Sequence, residues 1–280
     1  MLLTKATTDN EIILSWLQDK PSKLTQKQYS INVRQFINYV GCSLCDVKYE
    51  DMHGYIRMLE MKGYKPSTIK TKLTSIKSLF SFSCQLSYLS HNVGTLVKFK
   101  ASDSKLSDKL INHDDIKLMC QNTYYQRDKL IIKVLYSLGL RISETVNIKW
   151  TDFYNDGNFI NLTVTGKGNK QRTLLITNHL YSELLKLKKE GIEYVFTAYD
   201  RPTPLTRQSV NIFLAKLQKK LGLQTRITPH KFRHSHATTS IKNGCDLSLL
   251  QQSLGHSSIR TTEKYLNYRK NEGSTQFIDI

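Results

Sequence analysis

The sequence predicts a mainly α chain with one small antiparallel β-sheet (α+β), split into an N-terminal helical bundle and a mixed α/β second domain. Three observations predict it. Apolar residues recur at helical spacing in four segments before residue 100, and one stretch, 159–176, alternates with period two. Between them Lys100-Ala-Ser-Asp-Ser-Lys-Leu-Ser-Asp108 is polar and without period, the composition of a linker. At 280 residues the chain exceeds the usual span of one core, so domains are expected at 1–100 and 109–280, joined by a linker at 101–108.

The four helical segments come in order. Ile12, Ile13, Trp16 and Leu17 follow Asp9; Tyr29, Val33, Phe36, Ile37 and Val40 recur at three and four before Gly41. Tyr55, Ile56 and Leu59 end at Gly63, and Ile69, Leu73, Ile76, Leu79 and Phe80 follow the start signal Pro66-Ser67. The polar side of this last segment carries Lys65, Lys70, Lys72 and Lys77, which either form a solvated face or touch nucleic acid.

Charge points to the partner. Lys and Arg number 41 against 23 Asp and Glu, a net charge of +18, which favours a polyanion because each phosphate neutralised releases counterions. Up to Lys100 there are 14 basic and 7 acidic residues, and beyond it 27 and 16, so both domains can share a clamp on DNA. Lys5, Asp9 and Glu11 interrupt the N-terminal segment before any long apolar run, so neither a signal peptide nor a membrane anchor is expected, and the location expected is cytoplasmic. Cysteines at 42, 45, 84, 120 and 245 form no disulfide framework, which suits a reducing compartment. Cys42 and Cys45 make a CxxC, but no second ligand pair for a metal follows nearby.

The second domain opens with helices expected at 112–121 and 127–138, the latter apolar through Leu130, Ile131, Val134, Leu135 and Leu138 and stopped by Gly139. Arg141 follows directly, with Glu144 three residues on. Ile160, Leu162 and Val164 then alternate with polar residues, and Gly166-Lys167-Gly168-Asn169-Lys170 turns the chain into Thr173–Ile176: a β-hairpin with Lys167 at its tip. Lys170 and Arg172, beside that tip, are further candidates for DNA contact.

Thr228 and Pro229 start a helix that Asn243-Gly244 closes. His230 and Arg233 share one side of its first turns, where free backbone N–H groups favour an anion. His230, His234 and His236 also have a metal-ligand spacing, but no carboxylate lies among them and Arg233 would repel a cation. Asp246 begins a short helix through Leu249, Leu250 and Leu254; Gly255 ends it, His256 emerges in the turn, and Ser257 or Ser258 restarts a helix expected to carry Tyr265. Two arginines, two histidines, a lysine and a tyrosine are the parts for attacking a phosphodiester without metal.

Four motifs in this order, GLRISE (139–144), TGKGNK (165–170), TPHKFRHSHAT (228–238) and LGHSSIRTTEKY (254–265), make the chain resemble the tyrosine recombinases of the phage integrase family over nearly its whole length. The resemblance implies an N-terminal core-binding bundle, a catalytic recombinase domain, and site-specific strand cleavage and rejoining without ATP, metal or other cofactor. It implies Tyr265 as nucleophile, Arg141 and Arg233 on the phosphate oxygens, and Lys167 as proton donor to the leaving 5′-oxygen. His230 would assist proton transfer at the tyrosine, His256 would donate to a phosphate oxygen, and Glu144 would orient Arg141. It further implies double-stranded DNA as partner and a homotetramer working through a Holliday junction. The apolar end of the tail, 273–280, would dock on a neighbouring subunit, and a sister recombinase or accessory protein can take part. With nothing expected before the bundle, the chain looks most like Xer-type resolvers, transposon recombinases or simple phage enzymes. A degenerate DNA-binding relative should lack one of the six residues, a type IB topoisomerase would share the chemistry without partner subunits, and a metal-dependent nuclease would be sensitive to EDTA.

Overall fold

The computed structural model describes residues 3–100, 110–157, 159–198, 201–256, 258–263 and 265–266. The expected linker at 101–108 and the tail at 273–280 lie outside the described residues. By its internal contacts the chain divides into two units, Met1–Ser104 and Lys105–Ile280.

The first unit is built from α1 (Asp9–Gln18), α2 (Lys23–Val40), α3 (Tyr49–Met61), α4 (Pro66–Gln85) and the single turn α5 (Val93–Leu96). Thr8 and Glu11 cap α1 reciprocally, each accepting the other's backbone N–H. Gly41 ends α2 with φ +65, a left-handed conformation that a β-carbon would penalise. Trp16, Phe36, Tyr55 and Phe80 fill one core, with Phe36 edge-on to both Tyr55 and Phe80. Asp9 holds the loop after α2 and the end of α4 together, accepting from Ser43, Leu44 N–H and the Tyr88 hydroxyl.

The lysines expected on one polar face separate into two kinds. Lys65 and Lys70 are exposed. Lys72 is buried, its Nζ donating to Gln35 Oε1 at 2.5 Å and lying over the Tyr64 ring, and Lys77 donates to the Val97 carbonyl. Both are engaged within the bundle instead of facing a partner, because long aliphatic stems at these positions reach inward along α4 to acceptors on α2 and the α5 segment.

In the second unit α6 (His113–Asn122) and α7 (Gln126–Ser137) lead into the short α8 (Ile142–Val146). A three-stranded antiparallel sheet follows, ordered β1 (Phe153–Asn155), β2 (Ile160–Thr165), β3 (Gln171–Ile176). The hairpin registers Thr165 with Gln171, and its five-residue loop is closed by Gly166 N–H to the Lys170 carbonyl at 2.8 Å. Ile160, Leu162, Val164, Leu174 and Ile176 turn into the main core. Strand β1 was not expected: Phe153-Tyr154-Asn155 is too short and too exposed to show a period.

Helices α9 (Asn178–Leu185), α10 (Arg207–Lys220), α11 (Pro229–Lys242), α12 (Leu247–Leu254) and α13 (Arg260–Glu263) complete the unit. Thr228 stands at the N-cap of α11 with extended backbone but makes no side-chain cap, and Pro229 takes the first turn. Asp246 caps α12 through Ser248 and Leu249 N–H, and left-handed Gly255 ends it. α13 stops at Glu263, so Tyr265 sits in the turn after a helix and not within one, its N–H bonded to the Thr262 carbonyl at 3.0 Å. The β-branched pair Thr261-Thr262 gives so short a segment little helical propensity. Among the described residues no helix is long and apolar enough to cross a membrane.

Candidate active site

Gly139 ends α7 with φ +58, and a β-carbon there would lie 2.5 Å from His236 Cδ2 and 2.9 Å from Leu254 Cδ2. The position therefore needs glycine for both conformation and space. The turn presents Arg141 at the N-cap of α8, where its backbone N–H reaches Glu144 Oε2 and its Nη1 reaches Glu144 Oε1, each at 2.8 Å. Arg141 Nη2 donates to the Gly255 carbonyl at 3.3 Å, and the side chain keeps 34% of its surface exposed.

The Glu144 side chain is only 2% exposed. Burial alone would raise its pKa, but hydrogen bonds from Arg172 and from the Arg141 N–H outweigh it and hold the carboxyl below the ordinary range. Arg172, on β3, completes the cluster with Nη1 and Nη2 on the two carboxylate oxygens at 3.1 and 2.8 Å and Nε on the Ser253 carbonyl at 2.7 Å. Arg172, expected to contact DNA, lines the cleft described below but has only 11% of its side chain exposed, and its Nε, Nη1 and Nη2 each donate within the protein.

Arg233 is 2% exposed and spans two carbonyls, Gly139 through Nη1 at 2.7 Å and Leu254 through Nη2 at 2.5 Å. Burial, then the nearby Arg141 charge, push its pKa down to about 10, so it stays cationic at neutral pH. His256 follows Gly255, half-buried, with its Nδ1 2.9 Å from Thr262 Oγ1. A cleft of about 750 Å³ is lined by Arg141, Gly166, Lys170, Arg172, Gly255 and His256 among others. Three of the four sequence motifs thus meet along one wall. Lys167 opens the 3₁₀ turn of the hairpin, and its side chain lies outside the described residues.

Tyr265 and His230 are not among the described residues lining this cleft. Tyr265 is 1% exposed, packed with Ala237, Ile241, Leu250 and Leu254, and its hydroxyl lies 2.6 Å from His234 Nδ1. Burial pushes that hydroxyl's pKa up to about 12, against a lowering pull from Arg233. His230 is exposed near the start of α11, its ring edge-on to His234 with centroids 4.4 Å apart. His236 instead bonds the Tyr136 carbonyl at 2.8 Å, so only His230 and His234 of the three histidine rings pair. His234 is the residue that sequence reasoning passed over: its signal was an i+4 spacing from His230, which read as a ligand pattern and not as a seat for the tyrosine.

Residues 108–272 match the phage integrase family, and residues 16–88 match the N-terminal SAM-like domain of phage integrases. The chain belongs to the phage integrase family. As a member it is a tyrosine-type site-specific DNA recombinase. It is 30% identical over 271 residues to a tyrosine recombinase of Agathobacter rectalis, covering 89% of this chain and 87% of that one. It is 28% identical over 275 residues to tyrosine recombinase XerC of Listeria welshimeri, covering 88% and 90%. Among solved structures, the recombinase's fold resembles the Tn1549 transposon integrase in complex with circular intermediate DNA, with TM-score 0.76, 18% identity and coverage of 97% and 98%. It also resembles the XerH recombinase bound to a palindromic difH substrate, with TM-score 0.74, 21% identity and coverage of 88% and 77%.

Proposed function

We propose that this recombinase binds double-stranded DNA at a defined site and cleaves it with Tyr265. The tyrosine oxygen bonds to the scissile phosphorus, the bond to the 5′-oxygen breaks, and a 3′-phosphotyrosyl linkage and a free 5′-hydroxyl result. Arg141 and Arg233 hold the non-bridging oxygens, Lys167 protonates the leaving oxygen, His230 assists removal of the tyrosine proton, and His256 donates to a phosphate oxygen. Glu144 aims Arg141. The observation that carries the reading is the cleft in which Arg141 and His256, 115 residues apart in sequence, face the hairpin loop, with buried Arg233 tying the strands of chain just before each.

Tyr265 begins from His234, so cleavage requires its hydroxyl to exchange that partner for the phosphate. The phosphotyrosyl bond conserves the free energy of the phosphodiester, so a second 5′-hydroxyl can reverse the step without ATP, metal or cofactor. Exposed Lys65, Lys70 and Lys170 add phosphate contacts. The working unit is a homotetramer on two duplexes, exchanging strands through a Holliday junction, with tail 273–280 on a neighbouring subunit. The domains act as 1–100, a linker at 101–108, and 109–280.

Covalent trapping tests this. Wild type and Tyr265→Phe are incubated with EDTA and nicked suicide DNA carrying candidate sites, then run on denaturing gels. A DNA-linked band for wild type alone is expected; bands from both would move the nucleophile elsewhere, and loss of the band in EDTA would reject the metal-free reaction.

A further inference from the structure

We infer that Arg172 is a positioning residue for strand cleavage: it fixes the hairpin that bears Lys167 against the Arg141 turn and the turn leading to His256. The inference rests on the reading of Lys167 as proton donor. Arg172 lies on β3 opposite Val164, close behind the hairpin loop. Its Nη groups hold both oxygens of Glu144, the carboxylate that also aims Arg141, and its Nε holds the Ser253 carbonyl at the end of α12, just before His256. One planar side chain therefore joins the hairpin to two other elements of the cleft, which a lysine's single nitrogen cannot do.

Two glycines leave room for it. A β-carbon at Gly255 would stand 3.1 Å from Arg172 Nη1 and 3.2 Å from its Cδ, and one at Gly166 would stand 3.3 Å from Glu144 Oε1 and 3.5 Å from Arg172 Nη1. Gly166 is itself the first residue of the hairpin loop, so the loop is seated directly on the Arg172–Glu144 pair. With only 11% of its side chain exposed, Arg172 acts through these contacts, whereas neighbouring Lys170 is exposed.

The test compares suicide DNA having an ordinary scissile phosphate with the same DNA having sulfur in place of the bridging 5′-oxygen. Sulfur leaves as a thiolate and needs no proton, so it bypasses a missing or misplaced acid. Lys167→Ala and Arg172→Ala should each cleave ordinary DNA about 10²–10³-fold more slowly and recover most of that loss on the sulfur substrate. The double variant should be no slower than the slower single, and His256→Ala should stay slow on both substrates. Arg172→Lys should match Arg172→Ala; it keeps a positive charge beside Glu144 and serves if the alanine variant does not fold. Equal loss on both substrates for Arg172→Ala and Arg172→Lys would overturn the inference, assigning Arg172 to the phosphate clamp or to the fold. If Lys167→Ala is not recovered, the reading of Lys167 falls by itself, and additive losses in the double variant would then overturn the positioning role.

Discussion

Helices α4 and α11 both begin with proline in the first turn, but they bury different proportions of apolar and polar chemistry. α4 buries Ile69, Leu73, Ile76, Leu79 and Phe80, an aliphatic and aromatic stripe that any well-packed bundle could use, with Lys72, Ser75 and Ser83 beside it. α11 buries Phe232, Ala237 and Ile241 but also Arg233, His234, Ser235 and Thr238. Three of these four polar groups have partners: Arg233 has the carbonyls of Gly139 and Leu254, His234 the Tyr265 hydroxyl, and Ser235 both backbone groups of Ile111, whereas the Thr238 hydroxyl meets none among the described residues. The first helix is held mainly by area removed from water, the second also by directional bonds that fix Arg233 and the Tyr265 hydroxyl.

The contrast is sharpest in paired substitutions. Arg233→Ala should reduce covalent complex formation by about 10²–10³-fold, and Arg233→Lys should not restore it, because two carbonyls and a phosphate need a planar fork. Leu73→Ala should cost about 2–5 kcal/mol in denaturant unfolding while the folded fraction cleaves normally. A stable, inactive Leu73→Ala or a fully active Arg233→Ala would break the comparison.

A smaller effect separates the same regions at high pH. Burial keeps the Tyr265 proton on until about pH 12, above the ordinary tyrosine value near 10. The folded protein binds that proton more tightly than the unfolded chain, so the stability it contributes is complete below about pH 10 and is lost as pH rises towards 12. Phenylalanine cannot ionise, so Tyr265→Phe should lose about 1 kcal/mol less than wild type between pH 9 and pH 11. Tyr55 and Tyr88 of the bundle, also pushed up to about 12, titrate in both proteins and cancel. Identical pH profiles would place the Tyr265 hydroxyl in solvent.

The smallest effect lies on α4 itself. Lys70→Ala should change stability by less than about 0.5 kcal/mol and reduce the salt slope of DNA binding by about one. Lys72→Ala should cost about 1–2 kcal/mol, since it strands Gln35 Oε1, and leave the salt slope unchanged. A reversal between the two lysines would exchange their roles.

The same division explains what could be read in advance. α1 to α4, the hairpin and α12 were legible because repeating apolar positions and terminal residues such as Gly41, Asp246 and Gly255 act locally. The residues of the candidate site were legible as motifs, since their types state a chemistry. Their contacts were not: the His234–Tyr265 bond and the grip of Arg172 on Glu144 join residues 31 and 28 positions apart, which no local pattern reports. Lys72 and Lys77 misled for a related reason, since a lysine on a polar stripe gives no sign of an acceptor waiting on the next helix.

Arg141, Arg172 and Arg233 lie in one electrostatic neighbourhood with Glu144, which leaves two positive charges unbalanced beside the cleft. A phosphodiester carries one negative charge, but a phosphorus attacked by a tyrosine oxygen carries two. In the proposed reaction these two arginine charges are matched only at the pentavalent stage, so their field favours the passage between strands over either bound end state.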